Sequence, residues 1–537
     1  VGSLGAGWII GGASALVIQN NPTLDAVTMP TLGSTGGNVT INNNDSPDLT
    51  SINLAGLVSV NDLTLDNDNL NTTAGAAITL TNLTTVGLDG TGALVISDIA
   101  AGTLNLSNLA TVNGSMTISN NDNGLTAIQF SALETVGTGT SILTISDNED
   151  LISITDAAAG PDLTVTRDVT IATNAALQTV DLADLQTVTR NLTIGTTNGA
   201  ALATINLPVL ETVTGNLILD NGNANLAGAT ISIPMLATVG GNVDIDQIAS
   251  SLTMGTSLDI AGYLSMDDNN SLCNLNLGGL ETVGGYVLLT NNFDGPCGSA
   301  SVDLTGLTTI GDNLPLVTSD YLTISGNDAM PSLNFAALTA VNGTGAGSNR
   351  SIEINDNFPG MTSLAFPVLG SSPGEIYIFN NNNMTDLSAQ ILASVAEDFR
   401  ISGNDVLTTL SFPALATITA AFEINDNDAL TGLGGLAALT TVGSASITGN
   451  LTLTSLDGMS SLTTVNTTLA VTTNAALGEC CIIPCQLTSI NGVPGPFSPA
   501  VNTNPSGVTI SGNKSFASGG RCVNRTGPTD SGFNVAK

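Results

Sequence analysis

The side chains with the most evident chemistry in this 537-residue chain are Glu353, Tyr377, Arg400 and Glu423. Each is the middle residue of an apolar–x–apolar triplet: Ile352-Glu353-Ile354, Ile376-Tyr377-Ile378, Phe399-Arg400-Ile401 and Phe422-Glu423-Ile424. In strands of period 2 the flanking residues point inward and these four point outward. Stacked on neighbouring strands, Arg400 then lies about 5 Å from an aromatic on one side and a carboxylate on the other. One reading is a cross-strand ion pair that keeps like charges apart; the other is a polar patch for a glycan or protein ligand. A second set of oxygens, Asp66, Asp68, Asp356, Asp426 and Asp428, sits in Asp/Asn-rich turns such as Asn425-Asp-Asn-Asp428. Such turns offer the hard oxygen ligands that calcium takes, although none has the spacing of an EF-hand or of a calcium-binding β-roll nonapeptide. No cofactor is expected, and calcium at these turns is the one metal the sequence allows. The pair Asp267 and Asp268 matches the paired carboxylates of polysaccharide-cleaving β-helices, but the basic and histidine residues of such clefts are missing.

Composition removes many other chemistries. There is no histidine, so Ser-His-Asp and Cys-His catalysis, histidine metal sites and imidazole acid–base steps are excluded. The chain is expected not to be an enzyme. With 8 basic against 44 acidic residues and a net charge of -36, it has no basic stripe for nucleic acid and would be repelled by an anionic membrane surface. Yet 42% of the residues are hydrophobic and only 3% aromatic, so the chain folds around an aliphatic interior. No segment reads as a membrane span. Val1 to Ile18 reads as a degenerate first repeat, and the lack of an initiator Met points to a processed or trimmed form.

The elements that position these residues come from an internal repeat, L-x-x-V-x-G-x-L-T-I-x-N-N. It appears at Leu109–Asn121, at Leu210–Leu219 and at Leu415–Asn427. The last apolar residue of each short strand serves as a ruler: Ile18, Ile41, Leu65, Ile96, Ile118, Ile145, Ile171, Ile194, Leu219 and Ile245, then Leu289, Ile324, Ile354, Ile378, Ile401, Ile424, Ile447, Val471 and Ile510. The usual step is about 23–26 residues, within the roughly 20–29 of leucine-rich-repeat coils. A second strand follows the Asn turn and a third lies in the L-x-x-V phrase; only Leu387 to Phe399 has any helical spacing. The expected fold is all-β: a single elongated β-solenoid of about 20 coils, on the order of 100 Å long at the inter-strand spacing.

Three residues after the ruler position most coils carry Asn, from Asn21 and Asn44 to Asn474 and Asn513. The expected role is a ladder of asparagines closing each corner, since Asn tolerates left-handed backbone and bonds its own turn. The outward middle residue is mostly Thr in the first half, as at Thr40, Thr64, Thr117, Thr144, Thr170 and Thr193. Ice binding is disfavoured because only one outward column exists per strand.

The phrases Leu210-Glu-Thr-Val-Thr-Gly-Asn-Leu217 and Met116-Thr-Ile-Ser-Asn-Asn121 resemble the repeats of receptor L-domains, the leucine-rich-repeat-like β-helix. Asn474-Ala-Ala-Leu-Gly-Glu-Cys-Cys481, with Val508–Asn513 and Cys522, resembles the cysteine-bearing end cap of such arrays in secreted Bacteroidota surface proteins. The resemblance covers nearly the whole chain and implies a fold more than a function, because members signal, adhere or build walls. The domain reading is a repeat array over 1–475 and a cap and tail over 476–537. Cys480, Cys481, Cys485 and Cys522 are expected to pin that cap with disulfides, and Cys273 and Cys297 to staple adjacent turns. Trp8 is expected to plug the first coil or to pack on another copy. Together these features lead to a non-enzymatic, extracellular cell-surface protein, structural or adhesive, that assembles with itself or with other surface proteins. The alternative is a recognition module binding glycan or protein on one solenoid face, with no nucleic acid partner and no membrane insertion.

Overall fold

A computed structural model describes residues 15–44, 49–66, 75–122, 124–156, 160–195, 202–220, 222, 228–295, 297, 300–311, 321–343 and 350–477. It also gives the backbone of the short strands at 3–4, 489–490, 493–494 and 508–511. The chain divides into two compact units, Val1–Leu280 and Glu281–Lys537. Each is a parallel β-solenoid, and the fold is all-β as expected, with about 17 turns rather than 20. Cys273 and Cys297 are disulfide-bonded. Cys480, Cys481, Cys485, Cys522 and Trp8 lie outside the described residues.

Within each unit the ruler residues fall in a parallel ladder, of eleven strands in the first unit and nine in the second. The sequence ruler skipped one rung. Met266, in the strand Leu264–Asp267, is registered directly on Ile245, inside the long interval that follows it. Met is apolar but unbranched, so the β-branched or Leu template passes over it. The ladder of second strands has twelve members in the first unit and five in the second. In the last coils two 3-10 turns, Gly434–Leu436 and Asp457–Met459, follow the Asn corner instead. That difference separates about 17 full turns from the 20 rungs of the ruler ladder. The helical spacing at Leu387 to Phe399 does not produce a helix: the stretch contains the strands Asp386–Ser388 and Ser394–Val395 and enters Phe399–Ser402. Pairing with the coils on either side overrides the local periodicity.

One coil shows how the sequence makes the core. Leu177, Val180, Leu182, Leu185, Val188, Leu192 and Ile194 are all at most 1% exposed, and they alternate with Thr, Gln and Asn that face outward. Each aliphatic residue stacks on its equivalents one coil before and after, as Val169–Leu192–Leu217 and Ile171–Ile194–Leu219 do. Complete burial of such a side chain stabilises the fold by ~1.5–3 kcal/mol. A thin coil has room for these columns and few rings, which accounts for the aromatic poverty.

The corner after the ruler strand works differently from the sequence expectation. The left-handed residue is the one before the ladder asparagine: Asn20, Asn43, Asn120, Asp147, Asn291, Asp356, Asn380 and Asp426 have φ between 48° and 58°. At three coils Gly takes this place, at 326, 403 and 449. The ladder asparagine itself turns inward. Asn357, for example, donates from Nδ2 to the Ile324 carbonyl at 2.9 Å and to Asn381 Oδ1 at 3.1 Å. In the second unit this ladder runs unbroken through Asn292, Asn327, Asn357, Asn381, Asn404, Asn427, Asn450 and Asn474, all 0% exposed. In the first unit Ile99 and Ile248 interrupt it, each giving its N–H to the next asparagine, Asn121 or Asn269.

A second polar ladder, not anticipated, clamps the other end of the ruler strand. The N–H of Asn191 donates to Asp168 Oδ1, that of Asn216 to Asn191 Oδ1, that of Asn242 to Asn216 Oδ1 and that of Tyr263 to Asn242 Oδ1, at 2.8–3.1 Å. The Gly-Asn of the repeat phrase carried that signal.

Candidate functional site

Within the second unit, Glu353, Tyr377, Arg400 and Glu423 occupy consecutive rungs of the ruler ladder, registered one on the next. The geometry matches the expected stack. Arg400 Nε is 3.5 Å from Glu423 Oε2, and its guanidinium carbon is 6.0 Å from the centre of the Tyr377 ring.

Three further residues complete the cluster. Glu375 begins the strand Glu375–Phe379 two residues before Tyr377, in the same outward phase, yet its side chain is only 7% exposed. Two arginines cover it. Arg350 Nε lies 3.5 Å from Glu375 Oε2, and Arg400 Nη1 lies 3.2 Å from Glu375 Oε1. Arg350 also donates to Glu353 at 2.6 Å, and Arg400 pairs with Asp398. Asp398 belongs to the second polar ladder, accepting the Ala421 N–H at 2.7 Å while it holds Arg400. The signal that could have found these residues is the alternation Glu375-Ile-Tyr377-Ile-Phe379, repeated one coil on by Asp398-Phe-Arg400.

The two guanidiniums sit either side of the tyrosine, with Arg350 5.4 Å from its ring centre. Phe379 stacks on the same ring at 4.2 Å and 25°. Four carboxylates face two guanidiniums, leaving the cluster net negative. Burial pushes the Glu375 carboxyl up against the opposing pull of Arg400 and Arg350, and pushes the Tyr377 phenol up against the same two charges. Glu375 Oε1 and Arg400 Nε have no hydrogen-bond partner, so their contacts to opposite charges act through the field rather than through aligned bonds. Chemically this is an aromatic platform, Tyr377 with Phe379, rimmed by half-exposed carboxylates. It lacks a nucleophile paired with a base.

A second irregularity lies nearby in the ladder of third strands. Ala340–Val341 pairs with Thr309–Ile310, and Ser371–Ser372 pairs with Ser394–Val395, but the two inner strands do not pair with each other. Elsewhere the residue after the third strand donates back one coil, as Asn342 N–H does to Ile310 O. Here that residue is Pro373, which has no N–H. Ser372 also stands where other coils place Val or Ile. The resulting groove of about 280 Å³ is lined by Thr339, Val341, Asn342, Ser371, Pro373 and Ser394, with no titratable group.

The calcium candidates do not converge. Asp66 is half-buried in the strand Leu63–Asp66, registered on Asn42 and Ser97, and Asp68 lies outside the described residues. Asp356 is a left-handed corner residue whose oxygens accept from Asn380 Nδ2 at 3.0 Å and Asn355 Nδ2 at 2.6 Å. Asp426 is a corner residue of the same kind, and Asp428 is half-buried two residues beyond it. Among the described residues no group of three His, Cys, Asp or Glu side chains is arranged to hold a metal, and no helix is long and apolar enough to cross a membrane. Asp267 belongs to a column of carboxylates, Asp220–Asp246–Asp267, on adjacent coils. Burial, then Asp244, Asp267 and Asp220, push the Asp246 carboxyl up to about 6.

No protein-family model matches the chain, and neither the curated proteins nor the solved structures yield a match.

Proposed function

We propose that the chain is a non-enzymatic structural or adhesive protein of the extracellular cell surface. In this reading it is a receptor-L-like, leucine-rich-repeat-like solenoid that serves as a protomer in a surface filament or layer. The observation that carries the reading is where the polar side chains go. The eight-member asparagine ladder of the second unit is wholly buried, and the charged cluster above it is closed on itself by ion pairs. Side chains committed to holding coils together serve rigidity rather than turnover. The disulfide at Cys273 and Cys297 and the net charge of -36 are compatible with an oxidising, extracellular setting. Negative-stain microscopy of the native protein tests the proposal: ordered filaments or layers are expected. Isolated particles at every salt and calcium concentration would overturn it.

A second reading rests on the Tyr377–Phe379 platform. A stacked ring pair flanked by carboxylates, Glu353 and Glu423, suits the apolar face and hydroxyls of a sugar. Glycan-array binding that is lost in Tyr377→Ala and kept in Thr323→Ala, four rungs from Glu423 on the same column, would favour recognition over scaffolding.

A further inference from the structure

The residue that closes the second strand of a coil in the first unit is apolar and buried, as at Leu106, Phe130, Leu182, Leu207 and Ile233. Asp156 takes that place. It is registered on Phe130, lies at the end of the strand Ser153–Asp156 and is 4% exposed. One of its oxygens, Oδ2, accepts the Asp184 N–H at 3.3 Å; the other, Oδ1, is buried with no hydrogen-bond partner. The next coil brings up a second carboxylate, Asp184, 8% exposed, whose Oδ2 accepts the Gly160 N–H at 3.0 Å. Gly160 makes this approach feasible. A Cβ there would lie 2.3 Å from Asp184 Oδ2 and 2.6 Å from the Ser131 carbonyl oxygen, so only glycine lets those two oxygens gather around it. The arginines of this region are engaged elsewhere, Arg167 and Arg190 both pairing with Asp168.

We propose that Asp156 and Asp184 hold a hard divalent cation of calcium's class between adjacent coils, with the Ser131 carbonyl as a neighbouring oxygen. A carboxylate oxygen buried without a donor leaves its desolvation uncompensated. A second carboxylate beside it adds repulsion, and a cation relieves both. In its absence, burial followed by Asp184 and Asp181 pushes the Asp156 carboxyl up to about 6. Oxygen-only coordination by two carboxylates and a carbonyl, completed by water, fits calcium's flexible shell better than the rigid octahedron of magnesium. With two charged ligands the affinity belongs to the weak extracellular range, a Kd of ~10⁻⁴–10⁻³ M.

The test compares full-length wild type with Asp156→Asn and Asp184→Asn at pH 7.5, each melted in EDTA and in millimolar calcium chloride. The expected result is a rise in Tm of several degrees for wild type in calcium, a smaller rise in magnesium, and loss of more than half of the calcium effect in either variant. Should Asp156→Asn fail to fold, calcium titration calorimetry on wild type and Asp184→Asn decides: a weak site is expected, weakened at least tenfold by the substitution. No calcium response in wild type, or a response undiminished in Asp184→Asn, overturns the inference. So does a wild type stabilised by acid alone and indifferent to calcium, since a proton would then be what satisfies the pair.

Discussion

Replacing Asn404 with alanine removes one rung from the middle of the buried asparagine ladder, and its cost can be worked out bond by bond. Asn404 Nδ2 donates to the Ile378 carbonyl at 3.1 Å, to the Ser402 carbonyl at 3.2 Å and to Asn427 Oδ1 at 3.2 Å. Its Oδ1 accepts from the Asn381 N–H at 3.0 Å and from Asn381 Nδ2 at 3.4 Å. Several partners keep other bonds. Ser402 O still accepts the Asn380 N–H, Asn427 Oδ1 still accepts the Asn404 N–H, and Asn381 Nδ2 still reaches the Ile354 and Phe379 carbonyls. The Asn381 N–H is left with no acceptor in a column that is 0% exposed. One orphaned buried donor costs ~1–3 kcal/mol, and two or three lost net bonds add ~0.5–1.5 kcal/mol each. The expected loss is about 3–5 kcal/mol, which for a unit of this size lowers Tm by roughly 6–15 °C.

Thermal and urea unfolding of the full chain, followed by far-ultraviolet circular dichroism, measures it. Asn382→Ala, one residue past the ladder in the preceding coil and half-exposed, is the control and should change stability by less than ~0.5 kcal/mol. The double variant Asn404→Ala/Asn427→Ala should cost less than the sum of the singles, because the bond between the two side chains is lost only once. A loss from Asn404→Ala below ~1 kcal/mol, or one equal to the control, refutes the claim that the ladder holds the coils together.

Three other outcomes follow from the same structure. Glu375→Gln removes the charge that both Arg350 and Arg400 face; because burial already pushes that carboxyl up against both arginines, losing the charge should shift urea unfolding by less than ~1 kcal/mol, largely insensitive to salt. Asp156 has a raised folded-state pKa, so in EDTA it favours folding below pH 4 and that contribution is lost as pH rises through about 6. Asp156→Asn should therefore unfold later than wild type at pH 7.5, by on the order of 2 kcal/mol, and match it at pH 4. Thr473 holds a φ of 57° at the corner where most other coils use Asn, Asp or Gly, so Thr473→Asn should stabilise by ~0.5–1 kcal/mol in the same melts.

The repeat made the fold legible, because burial on one side of a short strand forces alternation and stacking forces that alternation to recur. Ile194 or Ile424 could be placed inside from spacing alone. Met266 escaped because its side chain fits the column without matching the residue types that define it. The corner was half legible. Asn marked it, but two polar residues in a row left open which one bends the backbone and which one bonds inward; only the stacked partner, absent from any local window, decides. The charged stack was legible where it follows the middle-residue rule and opaque where it does not. Glu375 and Asp398 come from strand ends, and Arg350 precedes a register shift between Arg350 and Ile352. Asp156 was hidden for a different reason. A lone Asp after Ser-Ile-Thr looks like another outward turn residue until its register with Phe130 places it in the core.

That architecture separates what the protein can vary from what it cannot. A ruler strand is held at one end by the asparagine ladder and at the other by the Asp/Asn ladder, while its two flanking residues fill the core. Its middle residue points outward, beside its equivalents on the neighbouring rungs and the outward residues at the strand ends, and takes no part in either ladder. Thr170, Thr193, Ile218, Asp244 and Ser265 succeed one another there with no change in register. The column is therefore nearly free of the fold's energetics, and the run Glu353, Tyr377, Arg400, Glu423 could be written into it at small cost. This independence has a measurable consequence: Tyr377→Ala should leave the melting of the second unit within a few degrees of wild type, while Asn381→Ala, four residues along the same coil, should not. A Tyr377→Ala variant as unstable as Asn381→Ala would show that the aromatic and its guanidiniums support the coil itself, and the surface reading of the column would fail.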